Sequence, residues 1–309
     1  MNGGRSKATR NSLAGVFVGL SVSADEETAR LGFDEAIVNN VIRQLAESLV
    51  ALDAGLVLGH DWRPGGVMHE VLRLAIDRRA SQRSPEPTLR NVLPWPDQPA
   101  MAEDERAELA EFITIELGGL PPALESRAVP KPAKSSDAYR YLRARGLTWM
   151  REKLIEIQSA CICMGGRTTG AQGRYPGVVE ELLLAVKARR PIYVSRLFGG
   201  ACAQVVDALR GETDSPPAEF APTDGDVRRA YEAFAPRWEP DEPAAAIDGA
   251  GIWHALRKIG VRGIAARNGL TVAQNEALFD ASSVDAVLHF VVRGLLRLRT
   301  TLRLRRTKG

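Results

Sequence analysis

The stretch Gly165-Gly166-Arg167-Thr168-Thr169-Gly170-Ala171-Gln172-Gly173-Arg174-Tyr175-Pro176-Gly177-Val178-Val179-Glu180-Glu181 combines residue types suited to gripping a phosphate. Glycines let the backbone approach a ligand closely and accept conformations that a Cβ forbids. Arginine presents a planar fork of donors that matches a phosphate in two places at once. Three further stretches share this make-up: Ser21 and Ser23; His60-Asp61-Trp62-Arg63-Pro64-Gly65-Gly66; and Phe198-Gly199-Gly200. Each alone reads equally well as an ordinary turn. Four together, with Arg63, Arg167 and Arg174 among them, point to a ligand that carries phosphate.

The individual residues have plain readings beside the functional ones. Arg167 either grips a phosphate or pairs with a local carboxylate. Glu180, one turn into a helix, is favoured there by the helix dipole whatever its task. Its functional role is to accept from ribose hydroxyls or, in an enzyme, to act with Arg167 as the catalytic pair. Asp61 and Arg63 form a binding pair or a turn-stabilising one. Trp62 and Phe198 stack on a base or pack beneath their loops. Cys161 and Cys163 are two apart on a strand and read as buried packing. His60, His69, His254 and His289 are scattered, so neither a metal site nor a hydrolytic triad is expected, and no cofactor is called for.

The elements that must position these residues alternate. Strands are expected over 13–22, 56–58, 91–95, 112–117, 160–164 and 192–194. Helices are expected over 34–53, with Ile37, Val41, Leu45 and Leu49 as the apolar stripe, and over 67–78, 103–111, 147–157, 178–188 and 201–209. Weaker helices near 226–235 and 252–259 precede a strong one carrying Val284, Leu288, Val291 and Leu295. Residues 118–134, rich in proline, read as an exposed loop. Alternating strands and helices imply an α/β fold: a doubly wound parallel sheet in three layers, α/β/α, whose ligand sits outside the carboxyl ends of the strands. The expected division is a tail over 1–12, one domain over 13–297 with a Pro-rich insertion around 80–135, and a basic tail over 298–309.

Composition agrees with a globular chain: 309 residues, 45% hydrophobic and 26% charged. The formal charge of +3 hides an asymmetry. From Arg293 onward there are seven basic residues and no acid; removing those seven leaves residues 1–292 at −4. The basic end reads as a solvated helix terminus or as a contact for nucleic-acid phosphates. Three cysteines are too few for a disulfide framework, and a cytoplasmic setting is expected. With no run of 18 apolar residues, no membrane association is expected. Arg5, Lys7 and Arg10 ahead of Leu13–Val22 mimic a secretory leader, but a buried first strand explains that run better.

The strand ending at Ser21, Asp61-Trp62-Arg63-Pro64-Gly65-Gly66, Leu147-Thr148-Trp149-Met150-Arg151, the glycine-arginine loop, Phe198-Gly199-Gly200, Asn268-Gly269-Leu270, Asn275-Glu276 and Leu278-Phe279 together resemble the SLOG superfamily. This Rossmann-like group joins Smf-type DNA-processing proteins with the Lonely Guy phosphoribohydrolases. The chain is most similar to the branch fused to Sir2 or TIR domains in prokaryotic antiviral systems, including the sensor half of the Thoeris effector. The resemblance implies binding of a nucleotide-derived molecule such as an ADP-ribose or cyclic ADP-ribose isomer. The implied ligand contacts are Ser21, Ser23, Asp61, Arg63, Gly65, Gly66, Arg151, Gly165, Gly166, Arg167, Arg174, Gly177, Glu180, Phe198, Gly199 and Gly200. A homo-oligomer and a separate effector protein are the expected partners. Two alternatives are a nucleotide N-glycosidase and a nucleic-acid-associated protein. The phosphoribohydrolase motif Pro-Gly-Gly-x-Gly-Thr-x-x-Glu is altered here to Pro176-Gly177-Val178-Val179-Glu180-Glu181, which counts against hydrolysis, and His60 stands where related sequences usually have glycine.

Overall fold

The short apolar runs form one sheet in the computed structural model of the chain, which describes residues 12–24, 26–59, 62, 66–81, 88–96, 103–128, 130–217, 225–242 and 247–306. The strands are β1 (Phe17–Ser23), β2 (Gly55–Leu58), β3 (Leu89–Leu93), β4 (Ile113–Leu117), β5 (Ala160–Gly165) and β6 (Ile192–Ser195). They pair in the order β4-β3-β2-β1-β5-β6, and every pairing is parallel. The chain therefore builds outward from β1 to one edge, then returns to β1's other side to place β5 and β6. The reversal lies between β1 and β5, where a crevice opens at the strand ends. Ser23 is in register with Gly165, so both strands stop at that crevice together.

The helices are α1 (Glu26–Arg30), α2 (Glu35–Ala51), α3 (Val67–Ser81), α4 (Glu103–Leu109), α5 (Pro122–Glu125), α6 (Asp137–Ile157), α7 (Gly177–Lys187), α8 (Gly200–Arg210), α9 (Gly225–Trp238), α10 (Gly249–Asn268), α11 (Val272–Phe279) and α12 (Val284–Arg306). Strand alternation divides the core. On β5, Ala160, Ile162 and Met164 face the layer of α2, α3 and α12, whereas Cys161 and Cys163 face α7, α8 and α10. This is the expected three-layer, Rossmann-like α/β/α arrangement. The cysteines are buried packing residues, their sulfurs 3.5 Å apart.

Several boundaries differ from expectation for local reasons. β1 begins at Phe17 because Leu13 to Val16 forms a turn, with the Val16 N–H donating to Leu13 O at 2.9 Å. β3 ends before Pro94, which cannot continue a ladder. The region 118–134 is not simply an exposed loop: α5 and a 3-10 turn fall within it, and Leu120 and Leu124 are buried against α6 and α9. α6 starts at Asp137, capped by Ser136, rather than near Leu147. Its first turns escape aliphatic periodicity because they bury Tyr139, Tyr141 and Arg145. α10 is longer than expected and breaks at Gly260, whose φ of 55° leaves the helical region. α11, unexpected, starts with a capping box between Thr271 and Gln274.

The basic end is no separate appendage as far as it is described: α12 continues unbroken to Arg306, and Leu302 is buried. Asn268, Asn275 and Tyr193 explain another quoted stretch. The Asn268 amide donates to Ile192 O at 3.0 Å, and the Tyr193 hydroxyl donates to Asn268 O at 2.8 Å, fastening α10 and α11 to β6. No helix among the described residues is long and apolar enough to cross a membrane.

Candidate functional site

Gly165 and Gly166 make the turn at the crevice. Both have positive φ, 65° and 95°. A Cβ on Gly165 would stand 2.3 Å from Ser23 O, and one on Gly166 would stand 2.8 Å from Val178 Cγ2. The Gly166 N–H donates to Ser23 O at 2.9 Å, and its carbonyl accepts from Ala201 N at 2.9 Å. The turn is thus clamped between the end of β1 and the starts of α7 and α8. Only glycine satisfies both the dihedrals and the spacing.

The chain leaves this turn at Arg167, which is exposed and makes no hydrogen bond or ion pair among the described residues. Its side chain borders two adjoining hollows. The outer one, about 520 Å³, is lined by Ala24, Glu26, Ala29, Phe33, Asp34, Glu35, Thr169 and Gly170. The inner one, about 150 Å³, lies between β1 and α2, against Val22, Ser23, Ala24, Glu35, Val38, Asn39 and Ile42. A further hollow of about 380 Å³ runs along α9, past Arg228, Tyr231 and Glu239, and touches none of the strand-end residues.

Of the described helices that begin near these strand ends, α2 and α8 spend their amino termini internally. Asp34 caps α2, accepting from Ile37 N at 2.8 Å. At α8 the Gly200 N–H donates to Glu27 Oε2 at 2.7 Å, and the Thr28 hydroxyl donates to Phe198 O at 2.9 Å. α1 therefore lies across the Phe198-Gly199-Gly200 turn, and Glu27 stands where an anion would otherwise sit. Phe198 is fully buried, in edge contact with Phe33 at 5.0 Å between ring centroids. Of the two readings of Phe198, this burial matches packing beneath its loop and not stacking on a base; among the described residues, Phe33 is the aromatic lining the outer hollow. α7 has no side-chain cap.

Glu180 does not face the cleft. It is buried, accepts from the Thr148 hydroxyl at 2.7 Å, and is ion-paired with Arg151 of α6. Arg151 also approaches Glu181, with Nε 3.7 Å from Oε1. Cβ atoms on Gly173 and Gly177 would lie 2.9 and 2.8 Å from the Arg151 guanidinium nitrogens, so these glycines let the loop close over that cation. Arg151, Gly177 and Glu180 lie together as the seam between α6 and α7. Arg174 stacks over Tyr175 at 4.9 Å, and the Tyr175 hydroxyl accepts from Asp248 N, which places Arg174 on the side leading to α10.

Glu181 is a residue the sequence reading passed over. Burial pushes its carboxyl above the ordinary glutamate range, and neighbouring Glu180 pushes the same way, against the opposing pull of Arg151 and of a hydrogen bond from Ser21. Ser21 therefore meets Glu181 at the end of β1. The signal was adjacency, since Glu181 belongs to the same loop-helix stretch. Trp62 is pinned: its indole N–H donates to Asn91 Oδ1 at 2.9 Å, and Asn91 donates to Leu58 O at 3.0 Å. Gly66 is buried at the start of α3. His60, Asp61, Arg63 and Gly65 lie outside the described residues.

The family model described as SLOG cluster2 matches residues 12–278, which takes in the sheet, the glycine-arginine loop and both hollows at the crevice. No curated protein matches the chain.

Proposed function

We propose, on the premise that this chain belongs to the SLOG cluster2 family, that it is a binding protein for a nucleotide-derived signal of the ADP-ribose type, held in the crevice between β1 and β5. Family membership supports the coarser statement, a nucleotide-related binding or processing role. The observation that carries the finer one is Arg167: a guanidinium on a rigid glycine turn, at the mouth of two hollows, with no internal partner among the described residues. Such a group is set to take a phosphate in two places. Signalling follows only where the ligand favours one conformation or assembly over another, for instance one competent to engage an effector protein. Calorimetry with ADP-ribose and cyclic ADP-ribose isomers tests the reading. Arg167→Ala is expected to weaken binding at least tenfold while leaving thermal stability unchanged. Failure of the folded protein to bind any of these nucleotides refutes it.

One observation favours N-glycosidic cleavage as a second reading. Glu180 is held by Arg151 and the Thr148 hydroxyl, whereas Glu181, 3.7 Å from the same guanidinium at its nearest and with its carboxyl raised by burial, has the character of a general acid or base. Free base released on long incubation, and abolished by Glu181→Gln, supports that reading; nucleotide recovered unchanged removes it.

A further inference from the structure

Charge is distributed unevenly between the two edges of the sheet. At the β4 edge, residues 103–117 carry Glu103, Asp104, Glu105, Glu108, Glu111 and Glu116 against a single base, Arg106. All of these acids except the half-buried Glu116 are exposed. No residue of α4 is buried. A helix of seven residues is marginal in water by itself, and this one is held to the body through the partly buried Leu109 and the adjoining Phe112. Among the described residues β4 pairs with β3 alone, and Leu117 at its end is 41% exposed.

The other edge is basic. A hollow of about 390 Å³ lies at the start of β6, where Arg189 and Arg267 stand over Pro191, Leu298 and Leu302. Among the described residues no acid lines it. The Arg267 guanidinium is fixed by Nη1, which donates to Val186 O at 3.0 Å. Arg189 holds a backbone conformation that arginine rarely adopts, with φ at 56°. Its N–H donates to Val186 O and that of Arg190 to Ala185 O, the pattern that ends α7. Glycine is favoured at such a position because a Cβ strains the left-handed backbone. Strain kept in order to hold a guanidinium at this hollow points to a use for that side chain.

β4 and β6 are the two edge strands, so an acidic and a basic surface lie at opposite edges of one molecule. Complementary surfaces placed apart on one chain join copies head to tail, into a ring or a filament, and not into a two-fold dimer. We propose that α4 and β4 of one copy dock against the basic edge of the next, around Arg189 and Arg267, so that the chain assembles through its sheet edges. The proposal is independent of the nucleotide-binding reading, since neither surface includes a residue lining the hollows at the crevice.

Sedimentation velocity over a concentration series tests it. In low salt the wild-type protein is expected to pass beyond the dimer as concentration rises. It is expected to return to monomer in about 1 M sodium chloride, where the screening length falls to about 3 Å. Glu105→Lys with Glu108→Lys reverses one edge, and Lys187→Glu with Arg189→Glu reverses the other. Each double variant alone is expected to associate at least tenfold more weakly. An equimolar mixture of the two is expected to regain the wild-type assembly, because every reversed edge then meets its opposite charge. Arg189→Gly is expected to weaken association at least threefold while its melting temperature holds or rises, since glycine relieves the strain. Circular dichroism checks that the variants fold. Calorimetry with ADP-ribose reads the crevice separately, so failure of either reading leaves the other standing. A wild-type protein that stays monomeric or stops at a dimer overturns the proposal. So does an assembly that ignores salt or survives either reversal, or a mixture of the two variants that stays apart. If the wild type is monomeric and reversal of the basic edge instead abolishes retention of an oligonucleotide at low salt, that edge serves nucleic acid and the proposal falls.

Discussion

Replacing Arg151 by methionine tests whether the seam between α6 and α7 is structural. The guanidinium is about nine-tenths buried, paired with Glu180, and 3.7 Å from Glu181; the Glu180 side chain is only 5% exposed. Methionine keeps much of the volume and removes the charge, leaving two adjacent carboxylates in a poorly hydrated place. Removing one partner of a buried pair typically costs about 3–5 kcal/mol, most of it from the charge left behind. For a chain of this size each kcal/mol lowers the melting temperature by about 2 °C, so a fall of about 6–10 °C is expected. The cost should shrink on acidification, because Glu181 takes up a proton at a higher pH than an ordinary glutamate. Adding Glu180→Met should restore part of the loss, giving a coupling of about 0.5–3 kcal/mol in a double-mutant cycle. The assay is calorimetric melting at several pH values, with the exposed Arg228→Met as control. A loss no larger than the control's, or strict additivity in the cycle, would refute the reasoning.

Other expectations follow from the same geometry. Gly165→Ala places a Cβ 2.3 Å from Ser23 O in a left-handed backbone; it should destabilise by about 2–4 kcal/mol through strain and displacement of β1, read by chemical denaturation. Tyr141→Phe removes a 2.7 Å hydrogen bond to the buried Glu239, which Arg145 also holds in two places, and should cost about 1.5–3 kcal/mol. Glu181→Gln should change the pH profile. A carboxyl raised in the folded state contributes stability below its unfolded pKa and loses it as pH rises through the folded value. The variant's melting temperature relative to wild type should therefore climb as pH rises above the ordinary glutamate range; a flat difference counts against the raised carboxyl.

The sheet was legible because buried parallel strands read as short apolar runs and the crossovers between them as helices. The positions of β1, β2, β5 and β6 along the chain and the glycine-arginine turn follow from that pattern, whereas the spatial order of the strands does not. α6 was legible only in its second half. Its opening turns pack Tyr141 against Tyr231, Phe234 and Trp238 of α9, and these aromatic contacts join segments far apart in sequence. On α2 the expected stripe holds at Val41, Leu45 and Leu49 and departs only at its first residue. The buried face runs through Val38, Val41, Ile42 and Leu45, whereas Ile37 is 40% exposed. That shift matters for the site, because Glu35 and Asn39 flank the cleft on a helix read only for its core face.

Glu180 and Glu181 show why residue type and spacing alone do not assign a role at a helix start. Successive residues on an α-helix point about 100° apart. On α7 that rotation sends Glu180 to Thr148 and Arg151 on α6, and Glu181 to Ser21 at the end of β1. The motif contains both acids, and nothing in its composition says which faces the strand ends; the packing of α7 on Gly166 through Val178 sets that phase. The two roles separate experimentally. Glu180→Gln should lower stability and leave ADP-ribose affinity within about threefold, since no cleft contact is lost, whereas Arg167→Ala should do the reverse. A loss of affinity in Glu180→Gln as large as that in Arg167→Ala, with folding intact, would place Glu180 in the ligand's reach and overturn its assignment to the seam.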